Sequence, residues 1–416
     1  MTAFSSVNGE LHAERVPLAA IAERFGTPCY VYSRAILETR FRAFDAAFAG
    51  TGTPHLVCYA MKANSNLAVL NVLARLGCGF DIVSGGELER AMAAGGDPAK
   101  TVFSGVGKAA TEMETALAAG IRCFNVESAA ELDVLNAIAG RSGKIAPISL
   151  RVNPDVDPKT HPYIATGLKE SKFGVAFAEA PALYRHASTL PNLAVRGIDC
   201  HIGSQITDLS VYVEAAAKMF GLVDAIESDG IPLHHVDLGG GLGINYRDEG
   251  TIDPAAYARA VCQALGTRRQ ELLFEPGRFL VGDAGVLLTR VLYVKPGGAR
   301  NFAIVDAAMN DLLRPALYNA WHPVDAVRPR DGTARLWQIV GPVCESGDFL
   351  AHDRELALVA GDVLAVRAAG AYGFAMSSNY NSRCRASEVI VDGDRVHLAR
   401  PRERVADLFA TESILP

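Results

Sequence analysis

The chain has 416 residues, enough for a barrel-sized domain and a second one, and its 50% hydrophobic and 21% charged residues suit a globular protein rather than a disordered one. A net charge of -6, with acids and bases interspersed, argues against nucleic acid as a partner. No apolar run reaches membrane-spanning length, the stretch from Met1 to Val16 has no signal-peptide core, and eight scattered cysteines form no Cys-x-x-Cys pair, which points to a reducing cytoplasm and away from a disulfide framework or a zinc site.

Residues 17–33 read as a short helix, a Gly-Thr-Pro break and a strand at 29–32, with Ser33 capping a helical pattern over 35–48. A period then sets in. Strand-like runs at 56–61, 79–83, 101–104, 121–126, 147–152, 196–202, 234–238 and 271–274 alternate with helical patterns at 67–76, 86–94, 110–119, 129–139, 178–189, 209–227 and 254–265. Eight strands alternating with helices predict a (β/α)8 TIM barrel rather than an open doubly wound sheet. No full helix follows the eighth strand, and the 35–48 helix is expected to fill that place. Beyond about Asp283 the texture changes. Strand-like runs at 285–294, 301–306, 334–340, 362–369 and 387–391 predict a C-terminal antiparallel β-sandwich or barrel domain, with one helical stretch near 402–408. The expected division is a barrel over 35–282 and a β domain over 283–416.

In such a barrel, functional side chains stand at the C-terminal ends of the strands. The run Leu56-Val-Cys-Tyr-Ala-Met-Lys62 ends in one lysine. Desolvation there favours the neutral, nucleophilic amine, which can form a Schiff base with an aldehyde such as pyridoxal phosphate (PLP). Taken alone, this lysine reads rather as an ordinary strand end with its ammonium in solvent. The other strand ends give it company: Asp81 and Ser84 after the second, Ser104 after the third, Asn125 after the fourth, and Arg151 with Asn153 after the fifth. His201-Ile-Gly-Ser204, Asp237-Leu-Gly-Gly240-Gly241 and Glu275-Pro-Gly277-Arg278 close the last three. Barrels commonly bind phosphate with the loops after strands seven and eight, so Gly240, Gly241 and Gly277 suit a phosphate cup to which Ser204 can donate. A dinucleotide fingerprint would need glycine where Ile244 stands. Glu275, paired with a pyridine nitrogen, would keep that nitrogen protonated and the ring an electron sink. Further on, Arg314 and Tyr318 lie four residues apart, Cys344 and Glu345 are adjacent, and Tyr372 lies in a glycine-rich stretch where it can reach a phosphate. Arg278 and Arg314 suit a forked clamp on a carboxylate.

Tyr59-Ala-Met-Lys62-Ala-Asn64, His201-Ile-Gly-Ser204, Gly239-Gly-Gly241, Glu275-Pro-Gly-Arg278, Cys344-Glu-Ser-Gly-Asp348 and Gly370-Ala-Tyr372-Gly, in this order, resemble the diaminopimelate decarboxylase family. These are PLP enzymes of the alanine-racemase-like fold type III. The resemblance runs from about Ala22 to the C-terminus. It implies a PLP barrel, a β domain joined by the N-terminal segment 1–34, and a homodimer with active sites at the subunit interface. It also implies the conversion of meso-2,6-diaminoheptanedioate (meso-diaminopimelate) to L-lysine and CO2, the last step of lysine biosynthesis. By resemblance, Lys62 is the Schiff-base lysine and His201 stacks on the ring. Ser204, Gly240, Gly277, Tyr372 and the backbone of Arg278 contact the phosphate, and Glu275 partners the pyridine nitrogen. Asp81 and Gly241 complete the expected cofactor set. Arg278, Arg314 and Tyr318 match a clamp for the distal carboxylate, Glu345 the contact to an amino group, and Tyr372 a further substrate contact. Cys344 matches a thiol that protonates the reaction centre from the partner subunit. Gly167-Leu-Lys-Glu-Ser-Lys-Phe-Gly174 resembles the specificity element, and no metal is expected.

Three alternatives differ at particular residues. Ornithine or arginine decarboxylases of this fold would want acids where Arg278 and Arg314 stand. An alanine-racemase-type isomerase would set an arginine, not Glu275, against the pyridine nitrogen. A single-barrel PLP carrier would lack both the β domain and Cys344-Glu345.

Overall fold

The computed structural model describes residues 4–158 and 172–416, and the chain divides into two units. One comprises Arg40–Ile244 and Gly250–Phe279; the other comprises Met1–Thr39, Asn245–Glu249 and Leu280–Pro416.

Among its described residues, the first unit contains a barrel of eight parallel strands in cyclic chain order, His55–Ala60, Gly79–Ile82, Thr101–Phe103, Cys123–Val126, Ala146–Asn153, Leu193–Asp199, His235–Asp237 and Glu271–Phe274, with the two-residue strand Val175–Ala176 added in parallel beside the fifth. Pairing of Leu273 with Leu56 joins the last strand to the first and closes the barrel. The strands are short, almost wholly buried runs, as expected where helices cover the outer face of a parallel sheet. Side chains at strand ends recruit the next helices. Asn66 accepts from the Ala68 N–H at 2.9 Å, Ser84 from the Glu87 N–H at 3.2 Å and Ser128 from the Glu131 N–H at 3.2 Å. After the eighth strand only the four-residue turn of helix Arg278–Val281 follows. The helix Arg34–Ala49 takes the vacant place, as expected. Its Phe48 ring lies tilted 4.1 Å from Phe274 of the eighth strand and meets Tyr257 of helix Pro254–Leu265 edge to face at 5.7 Å.

The second unit is built on a sheet ordered Phe349–Leu356, Arg335–Val340, Asn301–Val305, Gly285–Lys295, Cys29–Ser33, Ser387–Asp392 and Arg395–Arg400. It is mostly antiparallel, but two pairings are parallel, Asn301–Val305 with Arg335–Val340 and Cys29–Ser33 with Ser387–Asp392. A wholly antiparallel sheet was the expectation. The N-terminal strand enters between two C-terminal ones, and that insertion creates one of the parallel pairs. The edge strands Phe349–Leu356 and Arg395–Arg400 are missing from the sequence reading because charged residues interrupt their period, a common protection of sheet edges. Phe4, Leu11, Leu18 and Ile21 pack with Val31, Val286, Leu288 and Val389 in one core, so the N-terminal residues belong to this unit's interior.

Candidate active site

The strand ends of the barrel unit form a connected polar ring. Lys62 sits in the 3-10 turn Met61–Ala63, where its Nζ lies 2.6 Å from Oδ2 of Asp81 on the second strand. The desolvated amine expected from the sequence is thus offset by an ion pair, and the lysine side chain keeps 35% of its exposure. Ser149 hydrogen-bonds to the Asn125 amide oxygen. The Asn125 amide nitrogen donates to Ser104 Oγ at 3.1 Å and to Glu275 Oε1 at 3.4 Å, and Ser104 Oγ itself donates to Glu275 Oε1 at 3.3 Å. The ends of strands three and four therefore meet on the one carboxyl group that follows strand eight, and strand five reaches it through Asn125.

Glu275 is buried together with Asp199 and Asp237, and one oxygen from each of the three lies within 4.8 Å of the others. Strand register brings the lower two together, because Asp199 pairs across the sheet with Asp237 on one side and with Arg151 on the other. Arg151 approaches Asp199 at 3.9 Å and Glu127 at 3.3 Å. Burial, reinforced by the neighbouring charges of Asp81, Asp237 and Asp199, pushes the Glu275 carboxyl well above its usual range. Burial likewise pushes Asp237 up to about 7, although it accepts the Gly239 N–H at 2.8 Å. Three carboxyls in one dry pocket cannot all ionise without a large cost.

A pH dependence of stability follows. A carboxyl whose folded-state pKa is raised binds its proton more tightly when folded, so it destabilises the fold progressively as pH rises from about 4 to about 7. Asp237→Asn removes that penalty and keeps an oxygen for the Gly239 N–H. In the cofactor-free protein, the melting temperature of Asp237→Asn relative to wild type is expected to climb over this window. A difference that stays flat from pH 4 to pH 7 would show that Asp237 carries no such proton.

The loops after strands six to eight approach one another closely. Gly240 donates its N–H to His201 Nδ1 at 3.2 Å, which fixes this nitrogen as the acceptor, and burial with the nearby cations Arg151 and Lys62 holds the imidazole well below its usual pKa. His201 is therefore a neutral ring. A side chain at Gly240 would put its Cβ 2.0 Å from the Glu275 carbonyl oxygen, and one at Gly241, where φ is +103°, would come 2.4 Å from the Gly203 carbonyl. Only glycine lets these backbones come so near. Gly277 is less confined, a Cβ there coming 3.2 Å from the Ala60 carbonyl oxygen and from the Ala63 Cβ, and Arg278 Nη2 donates to Ser204 Oγ at 3.1 Å.

Several participants escape sequence reasoning. Asp199 looks internal in the sequence reading of a strand at 196–202 but is the last residue of the strand Leu193–Asp199, and its register with Asp237 and Arg151 gives it meaning. Lys108 has a fully buried side chain whose Nζ reaches the carbonyls of Gly105 (2.8 Å) and Asn125 (2.7 Å) and the carboxylate of Glu131 (2.7 Å). Glu127 accepts from the N–H groups of Gly105 and Gly174. Of the 167–174 element, residues 167–171 lie outside the described residues. Phe173 stacks under Arg151 at 5.0 Å.

The remaining sequence candidates belong to the other unit. Arg314 opens the short helix Arg314–Tyr318 and is buried, while Tyr318 ends it partly exposed. Cys344 is exposed, with its Sγ 3.4 Å from Asn381 Oδ1. The neighbouring Glu345 is also exposed and accepts from the Tyr380 hydroxyl at 2.5 Å. Tyr372 adopts a left-handed φ of +56°. All eight cysteines are unbridged, five of them buried.

Residues 34–282 match the family model described as the pyridoxal-binding domain of pyridoxal-dependent decarboxylases. Over the full length of both chains, the sequence is 61% identical to a diaminopimelate decarboxylase of Pseudomonas aeruginosa. The chain belongs to the diaminopimelate decarboxylase family. Solved structures agree. A diaminopimelate decarboxylase from M. jannaschii in complex with L-lysine superposes with a TM-score of 0.95 at 38% identity, covering 99% of this chain and 98% of that one. One from Helicobacter pylori, also complexed with L-lysine, gives 0.92 at 42% identity, covering 95% and 99%.

The cofactor of this decarboxylase family is pyridoxal phosphate, and the barrel mouth fits it. Asp81, Asp199 and Asp237 each have one buried carboxylate oxygen without a hydrogen-bond partner among the described residues. Glu275 stands among them at the mouth. A pocket so rich in acid suits a cationic N–H, which a protonated pyridine nitrogen supplies. The close-set glycines leave backbone at the surface of the loops where a phosphate is held in barrels of this kind. Among the described residues no helix is long and apolar enough to cross a membrane.

Proposed function

We propose that the chain decarboxylates meso-2,6-diaminoheptanedioate to L-lysine and CO2 on pyridoxal phosphate. The observation that carries this reading is the buried Glu275, set among acids in the same mouth as Lys62. Lys62 Nζ would hold the cofactor's aldehyde carbon. The backbone of Gly240, Gly241, Gly277 and Arg278, with Ser204 and Tyr372, would hold its phosphate, and the neutral His201 ring would lie against its face. When bound, the cofactor accepts the electron pair left on Cα as CO2 departs.

The chain's own residues do the rest. Glu275 fixes a proton on the pyridine nitrogen, and Ser104 and Asn125 fix the Glu275 carboxyl. Asp81 positions Lys62 and keeps its ammonium at the mouth. Arg278 and Arg314 each offer a planar fork for the distal carboxylate, with Tyr318 adding a hydroxyl, and Glu345 meets the distal amino group. Cys344 Sγ carries the proton delivered to Cα. The protein is a cytoplasmic homodimer in this reading, with Cys344 and Glu345 supplied by the partner subunit. The exposure of both side chains supports that assignment.

The test is CO2 release from meso-diaminopimelate, ornithine, arginine and lysine, each with and without added pyridoxal phosphate. Release from meso-diaminopimelate alone, dependent on the cofactor, is the expected result. Comparable release from ornithine or arginine would overturn the substrate assignment. Gel filtration at two protein concentrations checks the dimer.

A further inference from the structure

Arg314 is not held by its own helix alone. It starts a helix of five residues, too short to fix a long side chain, and its guanidinium is instead gripped from two directions. Its Nη1 lies 2.8 Å from Nε2 of His322, and its Cζ stacks 4.7 Å from the ring centroid of Tyr246. His322 is completely buried and meets Tyr246 edge to face at 5.3 Å.

The hydrogen-bond partners assign the tautomer of His322. An arginine has only donors, so Nε2 must accept. The other ring nitrogen, Nδ1, lies 2.9 Å from the carbonyl oxygen of Arg367, which can only accept, so Nδ1 carries the proton. One neutral tautomer satisfies both contacts. A second arginine fixes the backbone, since Arg354 Nη2 donates to the His322 carbonyl at 2.8 Å. His322 is thus a rigid acceptor of fixed direction, anchored through Nδ1 and aimed at one guanidinium nitrogen. That is the arrangement by which a neighbouring group fixes the orientation of a binding side chain.

We propose that His322 is a positioning residue for substrate specificity, holding Arg314 in the direction from which it binds the distal carboxylate. The proposal rests on the reading of Arg314 as part of the carboxylate clamp. His322 itself touches neither substrate nor cofactor in this role. It acts on how a carboxylate-bearing ligand is held and not on the bond-breaking step.

The experiment compares His322→Asn with His322→Gln in the cofactor-loaded enzyme. Asparagine leaves an amide near the Arg367 carbonyl but withdraws the acceptor from Arg314, whereas glutamine still presents an oxygen to it. For His322→Asn, KM for meso-diaminopimelate is expected to rise about 10- to 100-fold, with kcat changed by less than about threefold, the size of effect of one lost bond to a charged group. Inhibition by L-lysine, which retains a carboxylate, weakens in step. Inhibition by 1,5-diaminopentane, which has none, stays as in wild type. His322→Gln restores most of the KM.

A His322→Asn enzyme with unchanged KM and L-lysine inhibition would overturn the proposal. So would equal losses for both variants accompanied by a lowered kcat and melting temperature, the mark of a merely structural histidine. Arg314→Gln separates the two layers of the argument. If it leaves KM unchanged, the clamp reading itself fails; if it raises KM while His322→Asn does not, only the positioning role fails. Should His322→Asn not fold, His322→Phe keeps the ring against Tyr246 without the acceptor, and the same outcomes decide.

Discussion

Lys62→Ala is expected to lower kcat by about 10⁴-fold, the upper end of what one positioned proton-transferring group supplies. The proposed work of this residue has two parts, since the same Nζ anchors the cofactor and takes up or gives up protons as that link forms and breaks, while the proton at Cα comes from Cys344 Sγ. Among the described residues, no nearby lysine can replace it easily. Lys108 belongs to the same ring of strand ends, but its ammonium is buried and occupied by the Gly105 and Asn125 carbonyls and by Glu131. Borohydride treatment followed by mass spectrometry of the intact protein should therefore find no cofactor attached covalently to the variant. Persistence of both a reducible linkage and turnover would remove Lys62 from its assigned role. The variant also leaves Asp81 buried without its nearest cation, next to an already acidic cluster. Its cofactor-free form is expected to melt below wild type, increasingly so as pH rises because Lys62 is also a cation that draws the raised Glu275 carboxyl down, and a calorimetric scan can separate this from the catalytic defect.

Glu275→Gln should lower kcat by about 10²- to 10³-fold while KM for meso-diaminopimelate changes little. The range is that of losing one preorganised electrostatic partner of the developing charge, about 3–4 kcal/mol of barrier. The glutamine amide has nearly the same shape and can still meet Ser104 and Asn125. It cannot hold a proton on a pyridine nitrogen through a negative charge. The pH behaviour gives a second readout. Glu275 is pushed upward chiefly by burial and then by three neighbouring acids, so deleting its charge relieves the cofactor-free protein. The variant should be more stable than wild type without cofactor near neutral pH and gain less stability when pyridoxal phosphate is added. A variant with unchanged kcat would show that the nitrogen's proton is not held by Glu275.

Much of the candidate site can be read from the sequence because each piece is local. Lys62 terminates an apolar run, the glycines follow the seventh strand without interruption, and Glu275-Pro-Gly-Arg278 directly follows the eighth. Such features survive in one dimension because strand ends and tight turns are specified by a few consecutive residues. Asp199 shows the opposite case. It sits two residues before His201 in a strand whose sequence gives no hint of function, and only parallel register places it beside Asp237 and Arg151. His322 is similar, since nothing near Trp321-His322-Pro323 signals that its two ring nitrogens connect Arg314 to the carbonyl of Arg367.

The β unit draws the same line. Its long strands were legible, but the strand at Phe349–Leu356 was hidden by the charges along an edge, and the two parallel pairings could not be inferred from alternation. Alternation reports which residues face a core; it does not report which strand lies alongside. The sequence by itself thus determined the alternating barrel, the chemistry of its strand ends and the family, because hydrophobic period and short motifs are properties of neighbouring residues. Tertiary structure alone decided the Lys62–Asp81 pair, the acid cluster around Glu275 and the grip on Arg314. Hydrogen bonds and desolvation act between residues that folding brings together from distant parts of the chain, and their strength depends on burial that no local pattern encodes.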